Sequence, residues 1–303
     1  MNLTYISQIS SRVKQQKAIP TNRVTSQILD GSYRSVYKGR SMNFDELREY
    51  VAGDDVKDID WKASARSQKL LVKQYVAEKK HNILLVFDTN RRMLAHTRSL
   101  QEKWLVGLFS AGTLSYLTNK NGDYTGAIFP TSQSMAYFPF KTGLFHLEQI
   151  LEQYDACVHT DHTTSMNTAL TYIVRNFRRR MIIVLVTDTQ GILDIPDTTL
   201  KQLLVMNDVL VLHMGDADLS SCSNSSASVY NMENNGYLPS FFTKDKKLAE
   251  LEHAKRDALY EKCTDKLKRY GIASAIIQQT EQVDTTILSL LARKQAKSEG
   301  GLT

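Results

Sequence analysis

Two of the longest apolar runs in this chain end in an acidic residue. Ile83-Leu84-Leu85-Val86-Phe87 leads into Asp88-Thr89-Asn90-Arg91-Arg92, and Met181 to Val186 leads into Thr187-Asp188-Thr189. If both runs are strands pointing the same way, Asp88 and Asp188 reach one rim, where paired carboxylates can coordinate a divalent cation or neutralise a guanidinium. Asn90 offers such an ion an amide oxygen, whereas Arg92 has no lone pair to give. A second group interleaves Asp54, Asp55, Asp58 and Asp60 with Arg40, Arg48, Lys57, Lys62 and Arg66. Carboxylates at this density suit a salt-bridged module or, alternatively, a two-metal phosphodiesterase site, which needs several of them converging on ions about 4 Å apart. The neighbouring bases favour the salt-bridged reading, with Trp61 as a core anchor. Cys157-Val158-His159-Thr160-Asp161-His162 is too crowded, and lacks a second cluster, for a zinc site. Arg178-Arg179-Arg180 reads as a cationic cap at a helix C-terminus. Neither a phosphate-binding G-x-x-x-x-G-K-[ST] loop nor a G-x-S-x-G elbow occurs.

The elements that must position these groups follow from periodicity. Leu3, Ile6, Ile9 and Val13 recur at helical spacing, so a short amphipathic helix over 3–17 ends before Pro20 and docks on the body. Residues 28–74 lack a long periodic stretch and predict a compact, loop-rich module. From residue 81 apolar strands alternate with helices. Ile83–Phe87, Met181–Val186, Val209–Met214 and Ile272–Ile277 are strands; 99–118, Leu144–Tyr154, Ala169–Arg178, 197–206 and 244–270 are helices; Tyr124–Phe129 and Ser134–Phe138 form a hairpin at Pro130. Strands with no polar face predict a mostly parallel sheet with helices on both faces, the hairpin giving an antiparallel edge. In such sheets the binding crevice lies at the carboxyl ends of the strands, where Asp88 and Asp188 stand. The serine-rich stretch 220–228 reads as a loop.

Composition narrows the classes of function. The 303 residues carry a formal charge of +6, and residues 1–80 hold all of that surplus, with 15 Lys/Arg against 9 Asp/Glu, while 81–303 hold 23 of each. A neutral remainder argues against a protein that coats nucleic acid along its surface, though a local basic face stays open. At 42% hydrophobic and 23% charged the chain has material for a core, and its length suits a large domain plus a small one. Cys157, Cys222 and Cys263 are odd in number and widely spaced, which fits a reducing cytoplasm. No apolar run approaches the roughly 20 residues that span a bilayer, and no signal-peptide pattern opens the chain, so neither secretion nor membrane insertion is expected.

Asp88-Thr89-Asn90-Arg91-Arg92, Thr164-Ser165-Met166-Asn167-Thr168-Ala169-Leu170 and Val186-Thr187-Asp188 together resemble the metal-ion-dependent adhesion site of a von Willebrand factor A domain. The resemblance implies a Rossmann-like α/β fold and a Mg²⁺ held by Asp88, Asn90, Thr164 and Asp188, with one position left for a partner's carboxylate. Arg92 stands where the family has its second serine. Either it turns away and a weak Mg²⁺ site survives, or it pairs with Asp88 and Asp188 and substitutes for the metal; no other cofactor is expected.

A longer motif is Gly39-Arg40-Ser41-Met42-Asn43-Phe44-Asp45-Glu46-Leu47-Arg48-Glu49-Tyr50, followed by Gly53-Asp54-Asp55-Val56-Lys57-Asp58-Ile59-Asp60-Trp61-Lys62-Ala63-Ser64-Ala65-Arg66. It resembles the signature of the domain of unknown function 58 family, whose members are similar to von Willebrand factor A proteins and are typically encoded beside MoxR-type AAA+ ATPases. Many relatives begin with membrane segments. This chain begins with an amphipathic helix, so peripheral membrane association has no support in its residues. The expected organisation is residues 1–80 as helix and basic signature module, 81–295 as the von Willebrand factor A-like domain, and 296–303 as a disordered tail. The expected function is that of a cytoplasmic, non-enzymatic adaptor for a MoxR-type ATPase or its client, binding no small-molecule substrate and receiving a partner's acidic side chain at the rim. The alternatives are a metal-dependent nuclease or phosphodiesterase built on the four aspartates, and nucleic-acid binding through the N-terminal module.

Overall fold

The computed structural model describes residues 3–15, 42–77, 80–132, 134–160, 164–217, 230–232, 236–237 and 246–299. The chain divides into two compact units, one of residues 1–32 with 81–303 and the other of Tyr33–Lys80. The amphipathic helix therefore groups with the sheet unit.

The larger unit is built on six strands, β3 (Asn82–Phe87), β4 (Tyr124–Pro130), β5 (Met135–Lys141), β6 (Ile182–Asp188), β7 (Asp208–Met214) and β10 (Ala273–Ile277), in the order β10-β7-β6-β3-β4-β5, while β8 (Tyr230–Asn231) and β9 (Gly236–Tyr237) pair in a separate two-stranded ladder. Every pair in the six-stranded sheet is parallel except β4 with β5. Numbered from β3, the order is 3-2-1-4-5-6, the doubly wound arrangement in which chain order reverses between β3 and β6. With its antiparallel edge strand this is the von Willebrand factor A-like α/β fold that the motifs imply. Strand β3 is buried from Ile83 to Phe87 and β6 along its whole length, as strands covered on both faces must be. Strand β5 alternates instead, and it accommodates Pro139 because one of its edges is free of the ladder.

Helix α3 (Lys103–Lys120) is apolar nearly all round and buried over most of its length, the pattern of a helix enclosed by its neighbours. The sequence places its start near residue 99; it begins at Lys103. Residues 91–94 instead form a 3-10 turn capped by Asn90, and Leu100 takes a φ of +59° in a short loop closed by a His96–Glu102 bridge. Helix α1 (Thr4–Gln15) buries Ile6, Ile9 and Val13 against α3 and α4 (Leu144–Thr160). The Glu148 carboxylate accepts from the backbone N–H groups of Tyr5 and Ile6, both at 2.8 Å, and so caps α1 at the end where its dipole is positive. The C-terminal helix runs Val283–Glu299, into the stretch expected as a tail, and residues 300–303 lie outside the described residues.

In the smaller unit β1 (Met42–Glu49) pairs antiparallel with β2 (Leu71–Ala77), flanking a 3-10 turn over Val56–Asp58 and helix α2 (Trp61–Ser67). The two-stranded ladder is regular structure that the loop-rich expectation missed. Strand β1 is mostly polar and β2 groups its apolar residues as Leu71-Val72 and Tyr75-Val76-Ala77, so no hydrophobic alternation announces either.

Candidate functional site

Asp88 follows β3 and Asp188 ends β6, so the reversal of strand order brings the two carboxylates together at the carboxyl edge of the sheet. Both are buried. Asp88 Oδ2 accepts from the Thr187 hydroxyl at 2.6 Å and Oδ1 from the Asn90 N–H at 2.9 Å. Below it Tyr154 stacks on Phe87, with ring centroids 4.3 Å apart. Asp188 Oδ1 accepts from the Gly191 N–H at 2.9 Å, which caps the short helix Thr189–Leu193. A side chain at 191 would drive its Cβ to 2.6 Å from Asp88 Oδ2, so glycine is required for the two carboxylates to approach that turn.

The expected ligands do converge, but their oxygens are committed elsewhere. Asn90 Oδ1 accepts from the Arg92 N–H at 3.1 Å, and its Nδ2 donates to the Thr164 carbonyl at 2.8 Å. Thr89 donates to the Pro130 carbonyl at 2.6 Å, so its contact with Thr164 at 2.8 Å is one in which the Thr164 hydroxyl donates. Arg92 lies 3.8 Å from Asp88, 3.5 Å from Asp188 and 3.5 Å from Asp194.

The sequence reading missed Lys103. Its ammonium, 4% exposed, donates to Asp188 Oδ2 at 2.9 Å and to Asp216, which stands just past β7. Beyond Asp216 the chain of contacts continues. Thr189 donates to Asp216 at 2.7 Å, so His213 Nε2, 2.9 Å from the Thr189 oxygen, carries the proton and donates. Burial pushes the His213 pKa down to about 4, so this imidazole is neutral at pH 7. One polar chain thus crosses the carboxyl ends of β3, β6 and β7.

The two central carboxylates titrate in opposite senses. Burial raises the Asp88 pKa, and the neighbouring Asp188 adds to this, outweighing Arg92. Burial would raise Asp188 as well, but Lys103, Arg92 and the Gly191 N–H together hold it down to about 2. Lys103 is raised, because Asp188 and Asp216 outweigh the burial that opposes its charge.

This donor set does not fit Mg²⁺. The ion needs near-octahedral oxygen ligands, and here two side-chain cations already stand within 4 Å of the carboxylates that would supply them. Among the described residues no group of three or more His, Cys, Asp or Glu is arranged to hold a metal. Four acids (Asp88, Asp188, Asp194 and Asp216) face Arg92 and Lys103, and Lys266, on the carbonyls of Ile192, Leu193 and Ile195, adds a third base beside Asp194. Arg92 is spent on carboxylates of its own chain, which weakens the expectation that it receives a partner's acid.

The four aspartates of the signature module do other work. Arg48 makes two bonds to Asp54, at 2.8 and 2.6 Å, and Asp54 also accepts from the Val51 N–H in a turn where Gly53 has φ +112°. Its pKa falls to about 2, chiefly through Arg48. Asp55 and Asp60 cap the 3-10 turn and α2, and Lys73 lies 3.5 Å from Asp60. Asp58 ends the 3-10 turn and Tyr50 donates its N–H to the Leu70 carbonyl. Phe44 lies at a bulge in the β1–β2 ladder. Trp61 is not the expected core anchor: it is 63% exposed, while Ile59 and Val72 of the same unit are buried. Ala65 and Arg66 are exposed too, and Gly39 and Arg40 lie outside the described residues. Of the crowded cysteine–histidine stretch, Cys157 is buried and His159 sits 3.2 Å from Asp155, while residues 161–163 lie outside the described residues, as does Cys222.

Comparison with known proteins bears on the family. Residues 46–220 match the family described as Protein of unknown function DUF58. Uncharacterized proteins of Mycobacterium bovis and Mycobacterium tuberculosis are 26% identical over 170 residues, 54% of this chain and 52% of theirs. The chain thus spans about half the length of the curated relatives it matches. Among solved structures, an aerotolerance-related membrane protein from Bacteroides fragilis superposes with a TM-score of 0.39 at 13% identity, over 72% of this chain and 99% of that one. A von Willebrand factor type A protein from Catenulispora acidiphila gives 0.35 at 9% identity, over 75% and 45%. The SpRpn10 VWA domain gives 0.30 at 9%, over 49% and 84%. At these scores the strand order and the rim, not the superpositions, carry the fold assignment. Among the described residues no helix is long and apolar enough to cross a membrane.

Proposed function

Because the chain belongs to the family of proteins of unknown function DUF58, we propose that it is a non-enzymatic protein-interaction protein whose partner is a MoxR-type AAA+ ATPase or that ATPase's client. The family's similarity to von Willebrand factor A proteins supports docking at the carboxyl edge of the sheet, and its gene neighbourhood supports the choice of partner. We place this activity in the cytoplasm.

One observation carries the reading of the rim: Arg92 and Lys103 sit among Asp88, Asp188, Asp194 and Asp216 where an adhesion site would hold its metal. Side-chain cations fixed by buried carboxylates cannot be removed by a chelator, so docking here is independent of divalent ions. The oxygens open to solvent are those of Asp194 at the outer edge and, in part, of Asp216. The partner's complementary group is therefore a basic side chain or a backbone donor. Nothing in the geometry of Asp54, Asp55, Asp58 and Asp60 favours a phosphodiesterase.

Co-precipitation of the full chain with the MoxR-type ATPase, in nucleotide-free buffer with and without EDTA, tests this. Association that survives EDTA and falls at least about tenfold with Asp194→Lys is expected. Loss of binding on chelation would refute the metal-free rim, and absence of any association by the parent protein would refute the partner.

A further inference from the structure

The signature module contains residues that its own structure explains and residues that it does not. Arg48, Gly53, Asp54, Asp55 and Asp60 are accounted for by a bidentate ion pair, a left-handed turn and two helix caps. Trp61, Ala65 and Arg66 are not: all three lie exposed on α2, with Lys62 beside them. Residues four apart on a helix stand one above the other. Trp61 therefore lies over Ala65 as an apolar stripe, and Lys62 over Arg66 as a cationic stripe alongside it.

The charges around this face are unevenly spent. Asp54 is held by Arg48, Glu49 by Lys69, and Asp60 by Lys73 and the Ala63 N–H. Among the described residues neither Lys62 nor Arg66 has an ion-pair partner. Three of the module's acids are thus paired within it, Asp55 and Asp58 lie at the 3-10 turn ahead of α2, and the two cations a turn apart on α2 itself remain available beside an open indole.

We propose that this face of α2 is a second docking surface, for an acidic protein segment anchored by an aliphatic or aromatic side chain. The anchor lies across Trp61 and Ala65, and carboxylates of the segment pair with Lys62 and, in fork geometry, with Arg66. A nucleic acid fits less well. Residues 42–77 hold six basic and seven acidic side chains, so the module as a whole offers no field for a polyanion. Only the local stripe is cationic, which suits a ligand whose charge is equally local. The proposal concerns the unit that lacks the rim, and it stands whether or not the rim docks an ATPase.

The test is fluorescence polarisation of the full chain with three labelled probes: a short peptide of Asp and Glu around Leu and Phe, its counterpart with Lys for each acid, and a mixed-sequence single-stranded DNA. The acidic peptide alone should bind, more weakly as salt rises, and lose at least about tenfold in affinity with Trp61→Ala and with Arg66→Glu. Both residues are exposed, so unchanged melting temperatures should show that the variants fold. Lys201→Glu, on an exposed position of the sheet unit, should leave binding intact. Failure to bind the acidic peptide, equal binding of the basic one, preference for DNA, or indifference to both α2 variants would each overturn the proposal. So would concentration-dependent self-association abolished by Trp61→Ala, since a second copy would then be the occupant.

Discussion

Replacing Lys103 by methionine keeps most of the side chain's volume and removes its charge. The two acids it serves would respond differently. The Asp216 side chain is 32% exposed and can take water in place of the ammonium, so little is lost there. The Asp188 side chain is 3% exposed and cannot. It keeps the Gly191 N–H at 2.9 Å and Arg92 at 3.5 Å but loses its closest cation. Removing one partner of a buried pair costs roughly 3–5 kcal/mol, and because Arg92 remains the loss should lie near the lower end, about 3 kcal/mol. Spread over a sheet unit of this size, that is a fall in melting temperature of roughly 6–12 °C.

The sign of the pH dependence separates this account from a simple packing defect. Asp188 has its folded pKa depressed to about 2, below the carboxylate's ordinary 3.8. Its contribution to stability is therefore fully present above the unfolded pKa and lost as pH falls toward 2. Asp88, whose pKa is raised, runs the other way and gains nothing from ionisation. Without Lys103 the Asp188 pKa rises, so the deficit of Lys103→Met should be largest near neutral pH and shrink in mild acid, where the carboxylate can take up a proton. Thermal melts of parent and variant from pH 8 down to about pH 3 measure this. A variant as stable as the parent, or a deficit that does not change with pH, would refute the idea that Lys103 stands in for a metal's charge.

Two further outcomes are expected from the same geometry. Arg92→Ser combined with Lys103→Met removes both cations and supplies the hydroxyl that the adhesion-site pattern has at position 92; the double variant should gain a melting-temperature rise on adding Mg²⁺ or Mn²⁺ that EDTA reverses and that the parent lacks. An identical response of parent and variant would count against charge substitution. Glu148→Gln leaves one acceptor oxygen for the two N–H groups of Tyr5 and Ile6, turns an NH2 donor towards the other, and loses the negative charge at the N-terminus of α1. It should cost about 1 kcal/mol and speed amide exchange across Thr4–Gln15, with no change in β3 or β6.

The sheet was legible in the sequence because its signal is local. Each of β3, β6 and β7 is an apolar run too short for a buried helix and bounded by turn residues, so alternation with helices was enough to give a mostly parallel sheet covered on both faces, though not its strand order. Asp88 and Asp188 were legible for the same reason, as the first polar groups past two such runs. The β1–β2 ladder was not, since neither strand alternates polar and apolar residues and what holds it is cross-strand pairing between residues about 30 apart. Trp61 was misread because a tryptophan is usually an anchor. Yet it comes directly after Asp60, which caps α2, and the core-facing place in that short helix falls to Ser64, whose hydroxyl accepts from the Leu71 N–H.

Lys103 had a signal of its own. It is the first residue of α3, where the helix dipole disfavours a cation, and the helix beyond it is buried over most of its length. A lysine in that place must either reach solvent or find carboxylates, and a helix buried along most of its length closes the first route. The two aspartates that accept it come from strands more than 80 residues away in the chain, so only the topology could say which they are. For a related reason Arg92 alone does not complete the rim. One guanidinium set between Asp88 and Asp188 would leave the far oxygen of Asp188 and the whole of Asp216 uncompensated. A second cation is needed at the point where α3 meets the sheet, and substitution of a divalent ion by side chains thus takes two bases, placed on opposite sides of Asp188.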